Sequence, residues 1–141
     1  MNSTLSTQRL NLGLTILRTI LGVVFFAHGA QKLFVYGLGG VTGAFAGMGV
    51  PLAEIAGPAV AFVEFLGGLA LILGLFTRVA GLAVAGVMLG AMLLVHLPQG
   101  FFAPGGVEFV LTLFAGALAV ALTGPGAYSV DAVLARRGAA A

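Results

Sequence analysis

Four stretches almost free of charged residues, at about 10–34, 53–76, 79–97 and 107–122, are separated by short breaks rich in Gly, Pro and Arg. Each reads as a membrane helix, because a hydrocarbon core of about 30 Å is crossed by about 20 apolar residues. Within each stretch the polar and small residues recur at helical spacing rather than alternating. Arg18, Gly22, Phe25, Gly29 and Lys32 form one stripe on the first helix, with His28 at its border. Gly57, Glu64, Gly67, Gly68, Leu71 and Gly74 share a face of the second helix. Ala85, Met88, Leu89, Met92 and His96 do so on the third, and Glu108, Thr112, Ala115 and Ala119 on the fourth. Small residues on such faces let helix backbones approach closely in lipid. The pattern predicts an all-α integral membrane four-helix bundle, a single membrane domain over residues 1–141.

The breaks carry their own expectations. Residues 35–53 are rich in Gly and hold Pro51, which predicts a short interfacial or re-entrant helix around Val41–Met48, capped by Thr42. Irregular backbone survives at membrane depth where protein buries it or where it lines a wet cavity. Thr77 and Arg78 make a tight turn, and Pro98–Gly106 is a turn-rich loop whose Phe101 and Phe102 suit the lipid–water interface. Met1–Arg9 reads as a polar frayed tail or a short surface segment, Tyr128 as a headgroup anchor and Asp131–Arg137 as one surface turn. Gly86 and Gly90 form a GxxxG, read as close packing within the bundle, with a homo-oligomer left open.

Composition agrees with a membrane protein and removes several functions. The chain is 60% hydrophobic and 7% charged, with a mean hydropathy of +1.18, which leaves no soluble domain. A net charge of +2 comes from six Lys and Arg spread thinly along the chain, so no nucleic-acid partner is expected. Their positions instead report topology. Arg9, Arg78, Arg136 and Arg137 share one side and Lys32 lies toward the other, so the positive-inside rule puts both termini in the cytoplasm. The first apolar run is too long for a signal-peptide core and contains Arg18. There is no Cys, hence no disulfide, thiol redox centre or thiolate metal site.

Ionisable residues within apolar spans are costly and mark candidate functional sites. Counting about 1.5 Å per residue from the cytoplasmic ends puts Arg18 and Glu64 at similar depth, which predicts a buried Arg18–Glu64 ion pair in the inner half. That pair reads either as a packing lock or as part of a proton or substrate path. The same count brings His28, His96 and Glu108 to about 22–27 Å, near the outer boundary, with Lys32 and Glu54 just above. His28, Lys32, His96 and Glu108 are the candidate ligand-binding residues. Two His and a carboxylate are metal-capable types, but they are far apart in sequence and no metal is assigned. A haem would also take two His, yet the Gly and Ala lining does not call for a macrocycle. A quinone headgroup fits the residue types better, with His28, His96 and Lys32 as donors and Phe25, Met88 and Met92 as walls. No catalytic residue is singled out.

Two segments also carry a family pattern. The first span reads Leu17-Arg18-x-x-Leu21-Gly22-x-x-Phe25-x-x-His28-Gly29-x-x-Lys32-Leu33, and the second Glu64-x-x-Gly67-Gly68-x-x-Leu71-x-x-Gly74-Leu75-x-Thr77-Arg78. Together they resemble the DoxX family of small bacterial inner-membrane proteins, over roughly residues 10–125. The resemblance implies a four-helix protein of the bacterial inner membrane, with Arg18, Lys32 and Glu64 as its characteristic polar set and His28 beside them. It also implies a redox association, since the family takes its name from a subunit of an archaeal thiosulfate:quinone oxidoreductase. Relatives are implicated in membrane complexes with a superoxide dismutase and a sulfurtransferase. The expected function is the membrane component of a quinone-linked or redox-associated oxidoreductase system, with the outward-side polar cluster as its ligand site, surrounded by lipid and served by a soluble redox enzyme. A non-catalytic scaffold for partner enzymes and a small oligomeric transporter are the alternatives.

Overall fold

The computed structural model describes residues 3–139, and among them all regular secondary structure is helical. Helix α1 is Ser3–Ala30, and it passes through a π-helical segment, Gln31–Tyr36, into α2, Gly37–Gly47. Helix α3 is Ala53–Leu73. Helix α4, Thr77–Ala91, is prolonged by a π-helical turn, Met92–His96, and a 3-10 turn, Leu97–Gln99. Helix α5 is Glu108–Thr123, and a short α6, Val130–Gly138, closes the chain. The runs Thr4–Gly47, Ala53–Leu73 and Thr77–Gln99 are long and apolar enough to cross a membrane. Helix α5 is shorter at 16 residues, or about 24 Å of rise. The architecture is the membrane helical bundle that the hydrophobic pattern predicts.

Two boundaries differ from expectation. The polar tail is helical from Ser3 onward, because nothing between Thr4 and Arg9 interrupts a helix (Met1 and Asn2 lie outside the described residues). The Gly-rich segment is also helical earlier than expected. Gly37, with φ 68° and ψ 163°, breaks the direction of the first helix in a conformation suited to glycine, and α2 starts there. Thr42 therefore sits in the middle of α2 and caps nothing. Val41 and Thr42 pack against Gly57, which joins α2 to the first half of α3.

Glycine sets the register between α1 and α3. A methyl group at Gly68 would overlap the Phe26 backbone, one at Gly29 would overlap Phe65, and one at Gly22 would meet Ile72. The two helices can approach this closely because these positions have no side chain. The shared core above this contact includes Leu21, Phe25, Leu71, Val84, Val110 and Val120. Arg18, Gly22, Phe25 and Gly29 are buried together as their stripe predicts.

The fourth helix buries a different face from the expected one. Val110, Leu113, Ala117, Val120 and Ala121 turn inward, while Thr112 and Ala115 are exposed. The Thr112 hydroxyl donates to the Glu108 carbonyl one turn back, so it can face lipid with its hydrogen bond made. Inward space then goes to the side chains that fill it. The GxxxG of α4 also departs from expectation. No atom lies within 4 Å of where a Cβ would stand at Gly86 or Gly90, so these glycines pack against nothing.

Candidate functional site

Glu64 lies about 16 Å along α3 from Ala53 and about 14 Å from Leu73, near the middle of the span. Its side chain is 5% exposed. Lys32 reaches it, Nζ to Oε2 at 2.5 Å, and forms the ion pair in the bundle. Lys32 belongs to the π-helical segment that follows α1. π-Helical turns inside α-helices occur frequently at functional sites, because an extra residue per turn re-aims the side chains. The ammonium ends a flexible apolar stem, so Lys32 can sit nearer one end of the span while its charge reaches toward the middle.

The pair forms part of the wall of a cavity of about 690 Å³. Phe25, Met88 and Leu113 line it from the bundle core, and Phe45, Met48 and Val50 from α2 and the turn after it. His28 and His96 complete the polar part of the lining. His96 belongs to the second π-helical turn, so each such turn supplies one polar residue to the same cavity. The His96 Nδ1 lies 2.9 Å from the Gly105 carbonyl oxygen. A carbonyl oxygen accepts and does not donate, so Nδ1 carries the proton, and in the neutral ring Nε2 is left as an acceptor. His28 is exposed, with its ring centroid 6.3 Å from that of Phe109. The whole is a largely apolar chamber in the size range of small-molecule sites, about 300–1,000 Å³, with a few convergent polar groups. Among the described residues no three His, Asp or Glu side chains gather as a metal site would require.

The DoxX family model matches residues 13–97, more than half of the chain. This chain belongs to the DoxX family. Over 128 residues it is 36% identical to "Inner membrane protein YqjF" of Escherichia coli (strain K12), covering 88% of this chain and 93% of the relative. It is 32% identical over 120 residues to "Putative oxidoreductase CatD" of Bacillus subtilis (strain 168), with 85% of each covered. It is also 32% identical over 135 residues to "Uncharacterized membrane protein Rv3486" of Mycobacterium tuberculosis (strain ATCC 25618 / H37Rv), covering 88% of this chain and 82% of the relative. No solved structure matches.

The polar set of this DoxX protein is paired differently from the sequence-based expectation. Arg18 does not meet Glu64. The glycine register sets Gly29 against Glu64 and Phe65, so Arg18 comes to lie beside Leu71 and Ile72, about 10 Å further along α3. There its guanidinium donates to the carbonyls of Leu71, Ile72 and Tyr128. The first two belong to the last turn of α3, where carbonyls lack the regular helical donor four residues on and Leu71 keeps only a 3.3 Å bond from the Gly74 N–H, so the cation caps the helix instead of neutralising an acid. The sequence signal for this was Gly74, which ends α3 with φ 68° and fixes where the free carbonyls fall.

Of the four candidate ligand residues, His28, Lys32 and His96 line the one cavity and Glu108 does not. The Glu108 carboxylate accepts the Ala103 N–H at 2.7 Å and holds the loop before α5. Phe25 and Met88 are walls as expected, and Met92 is not among the lining residues. The contribution of Phe45, Met48 and Val50 had no periodic signal, since they lie in and after a short Gly-rich helix.

Proposed function

We propose that this DoxX protein is the membrane component of a redox-associated system, and that its cavity holds a quinone headgroup. The observation that carries this reading is the joining of Lys32, Glu64, His28 and His96 to one apolar chamber of about 690 Å³. A quinone ring offers two carbonyl acceptors, and its reduced form two hydroxyl donors. Lys32 serves the first, and Glu64 and the His96 acceptor nitrogen serve the second, so one set of side chains suits both redox forms. The oxidoreductase name of the Bacillus relative supports the redox assignment at family level. The chain has no Cys, and in this reading a soluble redox enzyme brings the electrons.

The test is mass spectrometry of the detergent-purified protein, native and after organic extraction. Retained quinone is expected in the wild type and is expected to be lost in Lys32→Met. Protein that carries no quinone and takes up none on addition would overturn the reading and favour a scaffold for partner enzymes.

We also infer that the protein lies in the bacterial inner membrane with both termini in the cytoplasm. Arg9, Arg78, Arg136 and Arg137 belong to one end of the bundle, while the lysine nearer the other end is turned into the ion pair. A fluorescent protein that folds only in the cytoplasm, fused after the last residue, should be bright. A dark fusion paired with an active periplasmic phosphatase fusion at the same point would reverse the topology.

A further inference from the structure

The headgroup end of the cavity accounts for its polar residues and leaves its other side unexplained. Gly86 and Gly90 line that side, together with Ala83 and Leu94, and nothing packs on the two glycines. From Thr77, Gly86 lies about 14 Å along α4 and Gly90 about 20 Å, both inside a hydrocarbon core of about 30 Å. Gly86 on α4, Leu94 in the π-helical turn that prolongs it, and Met48 after α2 are exposed. On its α4 side the cavity is therefore open at the depth of lipid tails, and the exposed lining there, Ala83, Gly86 and Leu94, is apolar, while the exposed His28 belongs to the polar part. Charge narrows the occupant further. The Lys32 ammonium is already engaged by Glu64, so the pair is neutral as a unit and offers no free cation to a phosphate-bearing head.

We propose that the cavity is filled sideways from the bilayer by a neutral ring that carries a long apolar chain, and that Gly86 and Gly90 form the slot for the chain. This rests on the quinone reading above and adds to it the route of entry and the requirement for a tail. Glycine at these two positions leaves a groove in the α4 surface where any larger side chain would stand in the path of the chain. The absence of packing neighbours means that a substitution there changes the groove without disturbing the fold, and a residue with a Cβ is also a better helix former than glycine.

The experiment compares Gly86→Leu and Gly90→Leu with the wild type for two probes: a long-chain prenylated benzoquinone, and the same ring with a methyl group in place of the chain. Tryptophan-free protein in detergent is titrated with each probe by calorimetry, and native mass spectrometry of the same samples gives the oligomeric state. The proposal expects at least one variant to lose affinity for the long-chain probe by about tenfold or more, the scale of a steric misfit in an apolar pocket. The same variant should bind the methyl-capped ring as the wild type does. Unchanged binding of the long-chain probe in both variants overturns the slot while leaving the headgroup site standing. Equal loss of both probes also overturns it, because the glycines would then border the ring and not the chain. A wild-type dimer that becomes monomeric in the variants would make the groove a contact between copies, and overturns it as well. Failure of the wild type to bind either probe removes the quinone reading and this proposal together.

Discussion

Lys32→Met should destabilise the protein by about 3 kcal/mol or more, the lower end of the range for removing one partner of a buried ion pair. The lower end applies because the Lys32 side chain is 19% exposed while that of Glu64 is 5% exposed. The cost arises from Glu64, which would keep its place near the middle of the span with no counter-charge. Removing both charges tests this account. Lys32→Met with Glu64→Leu replaces the pair by apolar side chains of similar size, a change that is often neutral or stabilising. The double variant should therefore melt close to the wild type in a thermal unfolding assay in detergent, while the single variant melts well below it. It should still fail to retain quinone, which separates the stability of the pair from its chemistry. A single variant as stable as the wild type, or a double variant no better than the single, would show that the pair does not carry the stated weight.

The architecture was legible in the sequence because the main constraint on a membrane helix is written in its residues. Long apolar runs and stripes of Gly at helical spacing marked the apolar helices and the buried faces of the first two, while α6 was read as a single surface turn. The pairing of charges was not legible, because it depends on register. Depth counted from assumed helix ends puts Arg18 level with Glu64, but the glycines at 22, 29 and 68 slide the two helices so that Glu64 faces Gly29. Helix ends enter in a second way. The carbonyls at the end of α3 compete for Arg18, and a residue-by-residue charge count contains no term for them. The polar lining of the cavity was partly legible: His28, Lys32 and His96 could be grouped by depth, while the two π-helical turns that carry Lys32 and His96 have no sequence signature. Glu108 was misassigned because depth alone cannot distinguish a side chain aimed into a cavity from one that ties down its own loop.

Arg18→Met is the second substitution with a large expected effect, and its consequences should reach the C-terminal tail. Arg18 is 2% exposed, and its guanidinium holds three carbonyls, those of Leu71, Ile72 and Tyr128. The Leu71 oxygen keeps a long bond from the Gly74 N–H, while those of Ile72 and Tyr128, only partly buried, lose the guanidinium. A buried acceptor left without a donor costs about 1–3 kcal/mol, so a loss of about 2 kcal/mol is expected. Arg18→Lys should rescue little, because one ammonium cannot reproduce a planar fork spread over carbonyls from two segments. The Tyr128 bond ties the tail to α1 and α3, and Asp131 ties it to the start of α4 by accepting the Phe76 and Thr77 N–H groups at 2.8 and 2.9 Å. Burial works against the Asp131 carboxylate, but the hydrogen bonds from Thr77 and Phe76 and the charge of Arg18 outweigh it and hold its pKa below the ordinary 3.8. A carboxyl with a lowered pKa in the folded protein stabilises it fully above that ordinary value and ceases to do so as the pH falls through the folded value. Acidification below about pH 4 should therefore loosen the tail in the wild type. Asp131→Asn should remove that pH step, and Arg18→Met should release the tail at neutral pH as well. Limited proteolysis after residues 127–138, followed across pH in intact protein, reads both effects. A tail as resistant in Arg18→Met as in the wild type would show that the Asp131 contacts, with the Ala127 N–H bond to Asn11, hold it without help from Arg18.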